Sequence, residues 1–257
     1  MKLSTVFNED FQDYKSQVLQ FLNDFHLSGE TIYDGSRNIL KQKKVKDKAF
    51  VIKYFKKPHL VNQIAYKFFR PSKATRSYTY AQRLLQSGIG TPLPVAYRNT
   101  YSWFGIQKSY YVSEFQKHDY TFRELSSMED KSKRNKILFE FVEFTHQLHE
   151  NKIHFLDHSP GNTLIEERDD KFYFYLVDLN RMKFETLTLE QRIQNFARLT
   201  RDEELIQEMS KAYALMINKD SSEIFKKIRN AVSDFFNKHE KKHAFKKKLK
   251  FWKSNIS

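Results

Sequence analysis

The hydrophobic pattern of this chain changes period part-way along, and that change limits the fold more than any other feature. In the first half, the runs ETIYDG, NILKQKKV, AFVIKYF, PVAYRN and GIQKSYYVSEF are alternating or rich in β-branched and aromatic residues, the signature of strands. Gly35 and the KDK turn at residues 46–48 separate the first three. Two helices are expected among them. Phe7, Phe11, Tyr14, Val18, Leu22 and Phe25 fall at helical spacing over residues 7–25, and residues 72–86 carry a capping Ser72 at one end with Gly88 just past the other. After Ser132 the period becomes helical: Ile137, Leu138, Phe141, Val142, Thr145 and Leu148 form one apolar face that ends near Asn151. One hairpin, TLIEE, RDDK, FYFYLVD, interrupts the helices, which resume from Leu187. The expected class is α+β in two lobes. A mostly β N-lobe with one main helix and a leading helix spans residues 1–116, a mostly α C-lobe spans 117–237, and a basic tail spans 238–257.

With 257 residues, 40% of them hydrophobic, the chain can bury a sizeable core. It has no cysteine, which removes disulfides, thiolate metal sites and a cysteine nucleophile. No apolar run is long enough for a membrane span, and Glu9, Asp10 and Asp13 stand where a signal peptide would be apolar. A soluble cytoplasmic protein is expected. The net charge of +14 predicts an anionic partner. From Tyr54 to Ser113 there is no acid, against nine positive charges: Lys56, Lys57, Lys67, Arg70, Lys73, Arg76, Arg83, Arg98 and Lys108. Residues 238–253 carry eight Lys against one Glu.

The chemistry concentrates in HFLDHSPGNTLIEERDDKFYFYLVDLNR. His154, Asp157 and Asn162 give the spacing H-x-x-D-x-x-x-x-N, and sixteen residues after Asn162 an apolar strand closes at Asp178. Phosphoryl transfer needs a carboxylate to orient the attacking hydroxyl, oxygen ligands for magnesium and a cation on the nucleotide phosphates. Asp157 suits the first role, Asn162 and Asp178 the second. Lys53, in the middle of VIKYF, suits the third. The G-x-G-x-x-G loop of ordinary protein kinases is absent, since Gly35 is the only glycine of YDGSRN; backbone amides of Gly35, Ser36, Arg37 and Asn38 remain candidates to cradle phosphates. His146 and His149 lie three apart on a helix without acids at ligand spacing, which reads as packing or surface rather than a metal site.

In order, GETIYDGSRN, VIKYF, SKATRSYTYAQRLLQSGIGTPLPVAY, SYYVSEF, HFLDHSPGNTL and LVDLNRMKF resemble the lipopolysaccharide kinase family, the Kdo and heptose kinases, over residues 29–199. SPGN and VDLNR are the most specific segments. The resemblance implies a protein-kinase-like bilobal fold and an ATP- and magnesium-dependent transfer of the γ-phosphate to a hydroxyl of an inner-core sugar. By motif position it makes Lys53 the nucleotide lysine, Asp157 the base, and Asn162 and Asp178 the metal ligands. It also makes SYYVSEF the strand leading into the hinge, so that the backbone of Glu114, Phe115 and Gln116 contacts adenine.

The sequence departs from the kinase pattern at one place. Kinases hold the strand lysine with a glutamate from the N-lobe helix, yet residues 72–86 contain no acid, and Thr79 stands where that glutamate is expected. Either the enzyme works with a lysine held in another way, or it is a pseudokinase that binds without turnover; the intact Asp157, Asn162 and Asp178 favour activity. The cationic block at Lys67, Arg70, Lys73 and Arg76 suits an anionic glycolipid acceptor, the lipopolysaccharide core. The tail, with Phe245, Leu249, Phe251 and Trp252 among lysines, suits a peripheral contact with the anionic inner membrane face. Nucleic-acid binding is the rival class for so basic a chain; the core-like periodicity of the aromatics and the lack of an RNA-binding signature argue against it.

Overall fold

The computed structural model describes residues 2–57, 70–103 and 105–254. Lys67 lies outside the described residues, as do the side chains of Leu249, Phe251 and Trp252. The chain divides into two compact units, one made of Met1–Lys117 and Tyr175–Asn180, the other of His118–Phe174 and Arg181–Ser257.

The first unit is built on a six-stranded antiparallel sheet in the order β1-β5-β6-β4-β3-β2. Its strands are β1 (Lys2–Phe7), β2 (Glu30–Asp34), β3 (Asn38–Val45), β4 (Lys48–Phe55), β5 (Pro94–Ser102) and β6 (Gly105–Glu114). Five of the six are the runs legible in the sequence. The sixth, β1, overlaps the stretch expected to be helical: KLSTVF pairs with β5 from Lys2↔Tyr101 to Phe7↔Ala96. The helical stretch therefore starts late, as a 3-10 turn at Glu9–Tyr14 followed by α1 (Lys15–Asn23), with the Asn8 side chain accepting from the Asp10 amide at the turn's start.

The apolar stripe of α1 has its expected use. Val18, Phe21, Leu22 and the following Phe25 pack with Phe11 on one face of the sheet, against Val45, Phe50, Ile52, Val95, Ala96, Tyr110 and Val112. Full burial of side chains of this size stabilises by roughly 1.5–3 kcal/mol each. Strand alternation then sorts the rest. On β4, Phe50 and Ile52 enter this cluster and Tyr54 packs on it, so Val51, Lys53 and Phe55 project to the opposite face. Lys53 pairs with Leu40 of β3 and Tyr111 of β6, which puts it in the middle of the sheet. Helix α2 (Lys73–Gln86) begins at Ser72, whose hydroxyl accepts from the Thr75 amide at 3.0 Å, and ends before Gly88, which takes the positive φ of 70° that a turning helix terminus needs.

The second unit holds α3 (Lys131–Glu150), α4 (Leu189–Phe196), α5 (Glu203–Met216) and α6 (Ser221–Ser254). Its short strands are β7 (Tyr120–Thr121), β8 (Ile153–Phe155), β9 (Thr163–Arg168) and β11 (Met182–Phe184); β10 (Lys171–Leu176) runs from this unit into the first. Strands β10, β9 and β7 form one small sheet, β11 and β8 another. The apolar face read from α3 is buried as Ile137, Leu138, Phe141, Val142, Thr145 and Leu148. The lysine-rich residues 238–253 continue α6, a single helix of 34 residues.

Candidate active site

In the first unit the structure brings Lys53 to Asp178. Lys53 Nζ lies 2.7 Å from Asp178 Oδ1, and the lysine side chain is only 13% exposed. Asp178 arrives just after β10, and two backbone-directed bonds seat the preceding residues: the Leu176 amide donates to the Gly90 carbonyl at 2.9 Å, and the Thr91 hydroxyl donates to the Leu176 carbonyl at 2.8 Å. Asp178 itself has φ 60°, the left-handed region that few residues other than glycine adopt. That backbone turns its carboxylate out of the strand's alternation, and such strain collects at functional positions. Asn180 Nδ2 donates to the same Oδ1 at 2.5 Å. The oxygen thus has two donors of its own unit before any ligand arrives.

The missing helix acid has a structural answer. Thr79 is exposed, and its hydroxyl donates to the Thr75 carbonyl of its own helix at 3.1 Å, so it faces away from Lys53's partner. Helix α2 instead brings a cation towards Asp178. The ammonium groups of Lys53 and Lys73 lie 5.6 and 5.7 Å from the centroid of the Phe55 ring. Burial holds the Lys73 pKa below its usual value, with the charges of Arg37, Lys53 and Arg76 adding to the effect and Asp178 opposing it. Lys53 is held by the metal-ligand candidate itself, in place of a helix glutamate.

The phosphate-loop and hinge candidates are also in this unit. The Gly35 amide donates to the Asn38 carbonyl at 3.0 Å and closes the β2–β3 turn, and the Arg37 carbonyl accepts from Lys56. A Cβ at residue 35 would stand 2.1 Å from the hydroxyl of Tyr33, which folds over the turn, so a larger residue there would make that exposed ring swing aside. At the end of β6 the Glu114 amide donates to Leu93 and the Phe115 amide to Ala49, while the Glu114 carboxylate pairs with Lys48 at 2.6 Å. The amides of residues 35, 114 and 115 are therefore engaged inside the sheet and its turn, which leaves the carbonyls of Glu114 and Phe115 as the candidate hinge groups for adenine. Gly35, Ser36, Arg37 and Asn38 remain the candidates for phosphate, and Glu114, Phe115 and Gln116 those for adenine.

In the second unit the structure brings Asn162 to Asp157. The Asn162 Nδ2 donates to the Asp157 carbonyl at 2.8 Å, and its amide donates to Ser159 at 2.9 Å, folding DHSPGN into a compact loop. Strand β8 delivers Asp157: it pairs with β11 from Ile153↔Phe184 to Phe155↔Met182, and the Leu156 amide adds a bond to the Arg181 carbonyl. His154 is buried on β8 opposite Lys183. Beneath the loop, His158 is fully buried with its ring stacked on Phe141 at 5.3 Å.

A buried polar chain supports the end of β8. Tyr213 and His149 Nδ1 are 2.8 Å apart, His149 Nε2 and Asn195 Oδ1 are 3.2 Å apart, and Asn195 Nδ2 donates to the Phe155 carbonyl at 2.8 Å. Burial pushes His149 down to about 3 and the Tyr213 hydroxyl up to about 12, so both are neutral at physiological pH. Burial likewise pushes His158 down to about 4, aided by the charge of Arg198.

These two histidines set an acid limit on stability. Below about pH 6.5 the unfolded chain protonates them while the folded chain does not until about pH 4, so stability is lost as pH falls through that window, by up to about 1.4 kcal/mol per pH unit for each. Replacing His158 by Phe keeps the stacked ring and removes one titration. Urea unfolding from pH 7 to 5 is expected to show a shallower loss for His158→Phe than for wild type, and identical slopes would contradict the buried neutral ring.

Sequence reasoning missed the partners of Asp157. Arg198 Nη1 lies 2.5 Å from Oδ1, and Arg181 Nη1 lies 3.6 Å from Oδ2. Arg181 stands inside the VDLNR segment, where sequence could show it; Arg198, two residues past α4, carries no local signal. Among the described residues no cluster of three or more His, Cys, Asp or Glu forms a metal site. Asp178, in the first unit, and Asn162, in the second, each offer one oxygen of the kind magnesium takes beside several waters and substrate phosphates. The Asn162 amide fits the part, because spending its Nδ2 on the Asp157 carbonyl leaves Oδ1 as the available ligand atom.

Comparison with known proteins adds two findings. Residues 34–219 match the family model described as the lipopolysaccharide kinase (Kdo/WaaP) family. The fold is similar to that of WaaP in a solved complex with acyl carrier protein, with a TM-score of 0.62 and 16% identity over 94% of this chain and 99% of that one. No curated protein sequence matches the chain.

Proposed function

The chain belongs to the lipopolysaccharide kinase (Kdo/WaaP) family, a family of phosphotransferases that act on a sugar, and from that premise we propose that it transfers the γ-phosphate of ATP to a hydroxyl of an inner-core sugar, Kdo or a heptose. The observation that carries the reading is the Lys53–Asp178 pair at 2.7 Å, which supplies the lysine with an anionic anchor where the sequence offers no helix acid. It supports turnover over binding without chemistry, the alternative that the missing acid raises.

In this reading Asp157 accepts the hydrogen bond of the acceptor hydroxyl and takes its proton as the phosphoryl group is transferred. Lys53 neutralises nucleotide phosphate charge. Asp178 and Asn162 Oδ1 would hold magnesium, which when bound supplies charge stabilisation to the phosphates. The backbone of residues 114–116 is the contact proposed for adenine, and that of residues 35–38 the contact proposed for phosphates. Of the acid-free block, Arg70 is exposed and Lys73 half-buried, and these suit an acceptor dense in carboxylate and phosphate, whereas Arg76 is only 4% exposed and is not open to one.

Mass spectrometry of lipopolysaccharide from cells with and without the protein tests the class, with a difference of one phosphate on the core as the expected result. Incubating purified protein and ATP with Kdo-terminated and heptose-extended acceptors then separates the two sugars. Unchanged core mass together with no transfer to either acceptor would overturn the reading.

A further inference from the structure

The loop that carries Asp157 reads DHSPGN and contains no lysine or arginine, so a cation beside the base has to come from outside it. Arg198 supplies one. Its Nη1 lies 2.5 Å from Asp157 Oδ1 and also donates to the carbonyl of the preceding residue, Leu156, at 3.1 Å. One guanidinium nitrogen thus ties both the carboxylate and the backbone that leads into it. The guanidinium in turn sits 5.3 Å from the centroid of Phe235 on α6. Three residues on, Arg201 repeats the arrangement over Phe236 at 4.1 Å and pairs with Glu240. The segment after α4 is therefore pinned to the long helix by two arginines on two consecutive rings.

The contact is one-sided. Arg198 takes Oδ1, whereas Oδ2 has, among the described residues, only the 3.6 Å approach of Arg181, whose side chain is 56% exposed. A carboxylate rotates about its terminal torsion in a broad, two-fold well. Pinning one oxygen with a charge-assisted bond fixes the plane and presents the other.

We propose that Arg198 is the positioning residue of Asp157: it holds Oδ1 so that Oδ2 faces the acceptor hydroxyl, and it makes Phe235 of α6 a support of the active centre. The inference rests on the reading of Asp157 as the base. The contacts of Arg198 are to Asp157, Leu156 and Phe235, so on this proposal its removal acts on turnover and leaves nucleotide binding alone. Arg181, exposed and distant, has the smaller effect.

The experiment compares wild type with Arg198→Ala, Arg198→Lys, Arg181→Ala and Asp157→Asn. It follows transfer to a lipopolysaccharide core acceptor and, in parallel, slow ATP hydrolysis with water in the acceptor's place, which gives the same comparison whatever the acceptor proves to be. Misplacing a reacting group by about 1 Å can cost on the order of 100-fold, so Arg198→Ala is expected to lose about that in kcat with KM for ATP within about twofold. Arg198→Lys is expected to recover part of the loss. Added guanidinium should restore activity to Arg198→Ala and none to Asp157→Asn. Thermal unfolding of each variant accompanies the kinetics. Turnover of Arg198→Ala within about threefold of wild type overturns the proposal, and so does a loss that guanidinium and lysine both fail to restore while the protein remains folded.

Discussion

Asp157→Asn is expected to lower kcat for phosphoryl transfer about a thousandfold, within the range of 100 to 10,000 that a positioned general base contributes. KM for ATP should stay within about twofold, because no nucleotide contact is assigned to the residue. The substitution keeps the side-chain volume and a carbonyl oxygen for Arg198, and Asp157 is not in a hydrophobic core but in a loop closed by its own backbone and Asn162. The stability change should therefore stay near or below about 1 kcal/mol, the scale of a partly exposed ion pair. Single-turnover kinetics with pre-bound ATP measure the effect directly. A variant that retains even a tenth of wild-type turnover would show that another group takes the hydroxyl proton.

Asp178→Asn is expected to have an effect of similar size by a different route. Asparagine tolerates left-handed backbone, so the φ of 60° survives and the change is one of charge alone. The variant loses a metal ligand and leaves Lys53 without its carboxylate on the inner face of the sheet. Phosphoryl transfer should fall about a thousandfold or more, and magnesium-dependent ATP affinity should weaken far more than in Asp157→Asn. An isolated strand-end carboxylate would cost nothing in stability, but an anchor for a lysine only 13% exposed predicts a loss of about 1–3 kcal/mol. Lys53→Met alone should also reduce transfer. In the double variant Lys53→Met/Asp178→Asn the stability losses should be less than additive, since the second change removes a charge the first had already stranded. Calorimetric nucleotide titrations and denaturant unfolding of the three proteins test the pair, and strict additivity would dissolve it.

The strands and helices were legible where one periodicity held for a full element. β4, β6, α2 and α3 are cases of this kind, because each buries one face and repeats its pattern at least twice. β1 was not legible. KLSTVF alternates weakly, lies at the edge of the sheet and runs directly into the helical spacing of Phe11, Val18 and Leu22, so Phe7 counts equally well for either pattern. The site divides in the same way. Asp157, Asn162, Asp178 and Lys53 stand in segments whose order and spacing carry information. The partners that place them do not: Arg198, Asn195 and Thr91 reach their targets across 41, 40 and 85 residues, through contacts that only the folded chain creates. Thr79 is the converse case, a position assigned by analogy of spacing that the helix turns to solvent.

The anchoring of Lys53 has a consequence for regulation. In protein kinases the strand lysine is paired by a glutamate on a mobile helix, and displacing that helix breaks the pair and switches the enzyme off. Here α2 has no acid to withdraw, and the lysine's partner enters from the chain segment after β10, seated by Gly90 and Thr91. A ligand or modification that tilted α2 would find no ionic latch there to release. On the proposed function, displacing α2 would leave the Lys53–Asp178 pair in place, and output would then follow the supply of nucleotide and acceptor, as suits an enzyme making a structural component of the cell rather than relaying a signal.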